Sequence, residues 1–220
     1  MQDSSDQNSK PASPSPVAAA AALSDRPPFP IVGIGASAGG LEALEQFLGH
    51  VPPACGMAFV VVQHLDPNYK GMIVELLQRT TAMPVLQVED GMAVMPERVY
   101  VIPPNHDLSI LHGVLYLLEP AAPRGLRLPI DFFLRSLAED QQERSIGVIL
   151  SGMGRDGVIG AKSLVDAGGT IYAQDADTSA VWGMPGAAAR AGLASMVAPP
   201  DRLGDAVMAQ AAAPAAPALR

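Results

Sequence analysis

The 220-residue sequence has one cysteine, Cys55. A single thiol excludes an intrachain disulfide framework and any metal site built from several cysteines, and its ordinary reading is a small apolar side chain. Positive charge is scarce: 14 Lys and Arg stand against 22 Asp and Glu, a net charge of −8. That balance leaves no basic footprint, so nucleic acid is not an expected partner. No apolar run approaches the ~20 residues of a membrane span, so no membrane insertion is expected. The segment VAAAAAL at 17–23 imitates a signal-peptide core, but its upstream flank carries Asp3 and Asp6 and only Lys10, the wrong charge pattern for secretion. These absences together point to a cytoplasmic protein.

What is present suits one globular domain: 49% of residues are apolar and 16% charged, on a chain long enough to bury a sizeable core. Residues 1–29 are rich in Ser, Pro, Ala, Asp and Gln without periodicity, and read as a disordered arm. Residues 208–220 are mostly Ala and Pro and read as a disordered tail, leaving one domain over 30–207.

Within that domain apolar runs alternate with helical stripes. IVGIG reads as a short buried strand, and Leu41, Leu44, Leu48 and Val51 then share a helical face. MAFVVV (57–62) is continuously apolar, as a strand covered on both faces should be. Met72, Ile73, Leu76 and Leu77 make the next helical stripe. VYVI (99–102) reads as a strand, and LSIL and VLYLL flank His112-Gly113 as a hairpin. Pro129 opens a helix with Ile130, Phe133, Leu134 and Leu137 inward and Asp131 in its first turn, complementing the dipole. IGVIL (146–150) and TIYA (170–173) are further strands. Between them lies a helix through Ala161 and Val165, and short helices follow over 184–191 and 200–208. The alternation implies a doubly wound, mostly parallel α/β sheet of Rossmann-like type, with an antiparallel hairpin excursion near 85–118. Ligands of such sheets sit beyond the carboxyl ends of the strands.

The first of those ends carries two overlapping patterns. Gly33, Gly35 and Ala38 fit the dinucleotide-binding turn, whereas Gly35, Ser37 and Gly39 fit the sharp elbow that presents a nucleophilic serine. The second strand is followed by QHLD, with His64 as its first ionisable residue, and the third by SGMGRDG, with Asp156 in a glycine-rich loop. A hydroxyl, a base that titrates near neutrality and a carboxylate at convergent strand ends form the residue set of a hydrolytic triad. Each member alone has a plainer reading: a helix cap, a surface histidine, a turn aspartate. The dinucleotide reading would use Asp66 on a ribose, although Asp66 lies past the strand end. The chain order Ser, His, Asp also departs from the α/β-hydrolase order. The patterns alone leave both readings open.

Taken together, GASAGG, VVVQHLDP, VEDGM, VYVIPPN, RLPIDFFLRSLAED, GVILSGMGRDGVIGAKSL and GMPGAA, running from about Pro30 to about Leu203, make the chain resemble the catalytic domain of CheB-type protein-glutamate methylesterases of bacterial chemotaxis. The QHLDP and VYVIPPN wording is similar to modules fused to CheR-type methyltransferases and sensor modules. The resemblance implies Ser37 as nucleophile, His64 as base, Asp156 as orienting acid and the Met153 backbone N–H as oxyanion donor. It also implies hydrolysis of glutamate γ-methyl esters on a chemoreceptor-like protein, with deamidation of protein glutamine in some members, and no metal or organic cofactor. A CheR-type methyltransferase or sensor kinase would be a partner. Arg155 is a candidate for holding an acidic substrate flank, and Trp182 and Met184 for lining a substrate groove or packing the last helix. Well-known relatives carry an N-terminal receiver domain that residues 1–29 are too few to form, so phosphorylation control within this chain is not expected. Two alternatives stand beside this reading: a Rossmann-type dinucleotide-binding module and a non-catalytic receptor-docking module.

Overall fold

The computed structural model describes residues 27–64, 72–120 and 126–212. Seven parallel strands form the central sheet: β1 (Ile31–Ala36), β2 (Ala58–Gln63), β3 (Val85–Gln87), β5 (Arg98–Val101), β8 (Ser145–Ile149), β9 (Thr170–Gln174) and β10 (Met196–Ala198). Their order is β10-β9-β8-β1-β2-β5-β3. A three-stranded antiparallel sheet adds β4 (Met92–Ala93), β6 (Asp107–Leu111) and β7 (Val114–Leu118), in the order β4-β7-β6. The helices are α1 (Gly40–Gly49), α2 (Met72–Gln78), α3 (Pro129–Gln141), α4 (Val158–Asp166), α5 (Met184–Arg190) and α6 (Pro200–Ala212).

The doubly wound sheet is as the alternation implies, but the antiparallel excursion is narrower than the span 85–118. β3 and β5 belong to the parallel sheet, where Val85 pairs with Val99 and Ala58 with Arg98. Among the described residues only β4, β6 and β7 run antiparallel. The chain leaves the main sheet after β3, touches the small sheet through two residues of β4, and returns in its original direction. The final helix continues to Ala212, past the expected boundary at 208, with Val207 fully buried.

Side chains alternate across the buried strands, so each face of the sheet receives its own core. On one face Val32, Ile34, Phe59 and Val61 pack against Leu44, Phe47 and Leu48 of α1 and Leu203 and Val207 of α6. Phe47 and Phe59 meet edge to face, with centroids 6.3 Å apart. On the other face Ile31, Val60 and Ile149 pack against Ile130, Phe133, Leu134 and Leu137 of α3, with Leu164 of α4 and the small sheet beyond. Helix α3 lies close over β1. A Cβ on Gly33 would stand 2.9 Å from Leu134 and Leu137, and one on Gly35 would stand 2.5 Å from Ile130.

The site follows from the strand order. The chain runs from β1 to β2 and out to the edge strand β3, returns through β4 to β5 between them, then passes through β6, β7 and α3 to β8 on the other side of β1. That reversal leaves a crevice at the carboxyl ends of β8, β1 and β2, the usual ligand position in open α/β sheets.

Candidate active site

Three segments meet in that crevice. After β1 the chain turns at once into α1. The Gly40 N–H donates to the Ser37 carbonyl (2.9 Å), which closes a four-residue turn with Ala38 and Gly39 at its centre. Gly39 has φ 72° and ψ 7°, while Ala38 keeps a negative φ, which defines a type II turn. The third position of that turn needs a positive φ, which glycine adopts without strain.

The Ser37 hydroxyl lies 3.1 Å from His64 Nδ1, and His64 Nε2 lies 2.9 Å from Asp156 Oδ2. His64 follows β2 directly and stays accessible, with a third of its side chain exposed. Asp156 is buried, 3% exposed. Its carboxylate fixes the histidine tautomer: a proton on Nε2 bridges to Asp156, and the lone pair of Nδ1 faces the serine. The two ring nitrogens exchange the roles they have in the serine-protease arrangement.

Asp156 is held by more than the histidine. Oδ2 accepts the Ile130 N–H (3.1 Å) and Oδ1 the Asp131 N–H (2.9 Å). These are the first free N–H groups of α3, since Pro129 has none and Leu128 offers no side-chain cap. The carboxylate is therefore the N-terminal cap of α3, supplied from 25 residues downstream, and its charge faces the positive end of the helix dipole. Asp131, expected merely to complement the dipole of α3, is buried and caps the next helix instead, with Oδ1 accepting the Gly160 N–H of α4 (2.7 Å). The starts of α3 and α4 are thus tied by two reciprocal aspartate caps. The helices approach so closely that a Cβ on Gly160 would lie 2.8 Å from the Asp131 carbonyl.

Burial pushes the Asp131 carboxyl above the usual carboxylate range. The backbone bond from Gly160 pulls it back, and the nearby Asp156 charge pushes it up again. Asp107, at the start of β6, is also raised, chiefly by burial. The Arg127 guanidinium lowers it, and the Asp156 charge raises it. Asp107 therefore sits in the electrostatic neighbourhood of Asp156, which strand-end reasoning did not anticipate.

The loop between β8 and α4 also carries Met153. Its N–H makes no hydrogen bond among the described residues, and its side chain is 70% exposed. Arg155 is exposed in the same loop. Trp182 stands beside the loop, bridged through its backbone to Gly152. Its indole donates to the Gln174 carbonyl (3.1 Å), and the Arg190 guanidinium lies over its ring. Met184 is no groove residue. It is fully buried beneath Gly152, where its sulfur occupies the space that a Cβ there would need.

The dinucleotide pattern finds no room. Gly33 and Gly35 are covered by α3 side chains, so their missing Cβ atoms serve helix packing rather than the approach of a pyrophosphate. Asp66, the ribose candidate, lies outside the described residues. Among the described residues no group of three or more His, Cys, Asp or Glu is placed to hold a metal ion, and no helix is long and apolar enough to cross a membrane.

Comparison with known proteins agrees with this architecture. The family model described as CheB methylesterase matches residues 32–207. A protein-glutamate methylesterase, FrzG of Myxococcus xanthus, is 39% identical over 183 residues, covering 83% of this chain and 55% of its own. A protein-glutamate methylesterase/protein-glutamine glutaminase of Xanthomonas oryzae is 38% identical, covering 83% of this chain and 52% of its own. The chain thus spans about half the length of the curated relatives it matches. The crystal structure of the Thermotoga maritima CheB methylesterase catalytic domain superposes with a TM-score of 0.78 at 32% identity, over 83% of this chain and 98% of that one. The chain belongs to the CheB methylesterase family.

Proposed function

We propose that this chain is a protein-glutamate O-methylesterase with Ser37, His64 and Asp156 as its catalytic triad. The observation that carries the reading is the continuous contact from Ser37 Oγ through both nitrogens of His64 to a buried, helix-capping carboxylate, in a chain of this family. Ser37 Oγ attacks the γ-ester carbonyl as His64 Nδ1 takes its proton. The Met153 N–H receives the developing oxyanion, a role worth about 3 kcal/mol where such donors have been removed. Collapse breaks the bond to methoxide, which leaves as methanol with the proton from His64. Water activated by the same nitrogen then hydrolyses the acyl-enzyme to glutamate and regenerates Ser37.

The relatives whose names add protein-glutamine glutaminase favour a second substrate, glutamine, with ammonia leaving in place of methanol. The surroundings suit a protein substrate. Leu128 and Phe132 at the start of α3, Ile159 at the start of α4 and Met153 are all exposed apolar side chains near the acid. Arg155 adds a positive charge for an acidic flank. The substrate is then a methylated chemoreceptor-like protein, met in the cytoplasm, with a CheR-type methyltransferase or sensor kinase as functional partner. Methanol release from methylated receptor, measured for wild type and Ser37→Ala, tests the reading. Turnover in a folded Ser37→Ala protein would overturn it.

A further inference from the structure

Ser151 takes no part in that mechanism, yet it is fully buried directly beneath the nucleophile. Its carbonyl accepts the Ser37 N–H (2.9 Å), and its hydroxyl donates to the Ala38 carbonyl (2.7 Å). The hydroxyl also accepts the Val181 N–H (3.0 Å), and its own N–H donates to Oε1 of buried Gln174 (2.8 Å). The residue therefore joins the end of β8 to three other segments: its hydroxyl links the turn after β1 to the segment before Trp182, and its backbone N–H reaches the end of β9.

The bond to Ala38 has a specific consequence. A type II turn differs from a type I turn by rotation of its central peptide, here the one between Ala38 and Gly39. Glycine at the third position accepts either form, so the local sequence does not choose between them. The Ser151 hydroxyl does choose, because only one orientation of that peptide aims the Ala38 carbonyl at it. The choice matters because Ser37 shares this turn. Its hydroxyl is 3.1 Å from His64 Nδ1, near the outer limit of useful contact with a base, so a shift of a few tenths of an ångström breaks the contact.

We infer that Ser151 is a positioning residue, whose hydroxyl latches the peptide between Ala38 and Gly39 and thereby holds Ser37 in register with His64. The inference rests on the esterase reading above and concerns the same site. It is tested by comparing wild type with Ser151→Ala in two assays, the rate of covalent labelling by a serine-directed fluorophosphonate and the kcat and KM for methylated receptor. Circular dichroism and the emission of Trp182 verify that the variant is folded. A misplaced reacting group costs about 10²-fold, so labelling rate and kcat should both fall by that order while KM stays within about twofold. A serine that only filled space would leave the labelling rate per folded molecule unchanged, and that result overturns the inference, as does a loss confined to KM. If Ser151→Ala does not fold, Ser151→Cys carries the same comparison, since a thiol fills the site but donates weakly. Wild type that resists the phosphonate altogether would instead overturn the esterase reading, and this inference with it.

Discussion

Two helices begin beside the same crevice, and the fold treats their N-termini in opposite ways. At α3 the free N–H groups of Ile130 and Asp131 are taken by Asp156, and Pro129, Ile130 and Asp131 are themselves buried. At α1 the preceding residue is Gly39, which has no side chain to cap with, and the helix opens beside the exposed turn that carries Ser37. The closed end holds a negative charge permanently in place, and the histidine is oriented against it. The open end has no side-chain cap: its Gly40 N–H bonds back to the Ser37 carbonyl, and Glu42 stands in its first turn. The same backbone property is thus met once by a distant buried carboxylate and once locally, by the turn that carries Ser37. The contrast also explains why the acid arrives from the loop after β8 rather than from a residue adjoining α3. A cap local to Leu128 would satisfy the helix but leave nothing to reach His64.

The largest expected effects break one partner of this pair outright. Ser37→Ala removes the only atom on the open side that can form an acyl-enzyme, so phosphonate labelling and methanol release should vanish. Asp156→Asn attacks the closed side. The amide can accept from only one of its two polar ends, so a cap bond is lost and the tautomer of His64 is no longer enforced. On the serine-protease template the rate should drop by about 10⁴. The lost cap should lower stability by about 1–2 kcal/mol in urea unfolding. A rate loss without any stability loss would show that Asp156 does not support α3.

Gly39→Ala sharpens the open side without touching any reacting group. The positive φ becomes strained, and the new Cβ would stand 2.4 Å from the Ala180 Cβ. Stability should fall by about 1–3 kcal/mol and labelling should slow, though by less than in Ser37→Ala. An unchanged labelling rate would mean that the turn geometry is not what positions the serine.

Much of this was legible in the sequence where one residue type does one local job. Continuous apolar runs gave β1, β2 and β8, and the polar residues just beyond them gave Ser37, His64 and Asp156, which the structure brings into contact. The segments β3, β4 and β10 escaped because two or three residues show no periodicity. Without β3 the parallel role of β5 could not be seen either. Met184 stayed open between groove lining and helix packing, because a flexible apolar side chain beside a loop reads the same whether it points in or out; the structure buries it. The opening glycines were ambiguous for a related reason: Gly33 and Gly35 serve contacts with residues about a hundred positions away, which no local pattern records. One signal could have revealed the cap on α3. Leu128-Pro129 opens a helix with no capping side chain, so its orphan N–H groups had to find a distant acceptor. Ser151 offered no such signal, since its partners come from two other strand ends and from the segment before Trp182.

The smallest expected effect distinguishes the two reciprocal aspartates. Asp131 caps α4 as Asp156 caps α3, but it has no histidine partner, and burial together with the neighbouring Asp156 charge raises its carboxyl above the usual range. A carboxyl raised on folding keeps its proton in the native state at pH values where the unfolded chain has released it. The native state then binds more protons, and stability falls as pH rises from the ordinary carboxylate value to the raised one. Above that window the cost of the buried charge is fully present. Asp131→Asn keeps an oxygen for the Gly160 N–H but cannot ionise, so it lacks this fall. The variant should therefore compare least well with wild type in acid, where wild-type Asp131 is neutral, and improve relative to it as pH rises through the carboxylate range. Urea unfolding of both proteins across that range measures the difference. If the gap instead moved in favour of wild type with rising pH, the Asp131 charge would be stabilised by its cap bonds more than it is penalised by burial, and the two aspartates would be equivalent anchors.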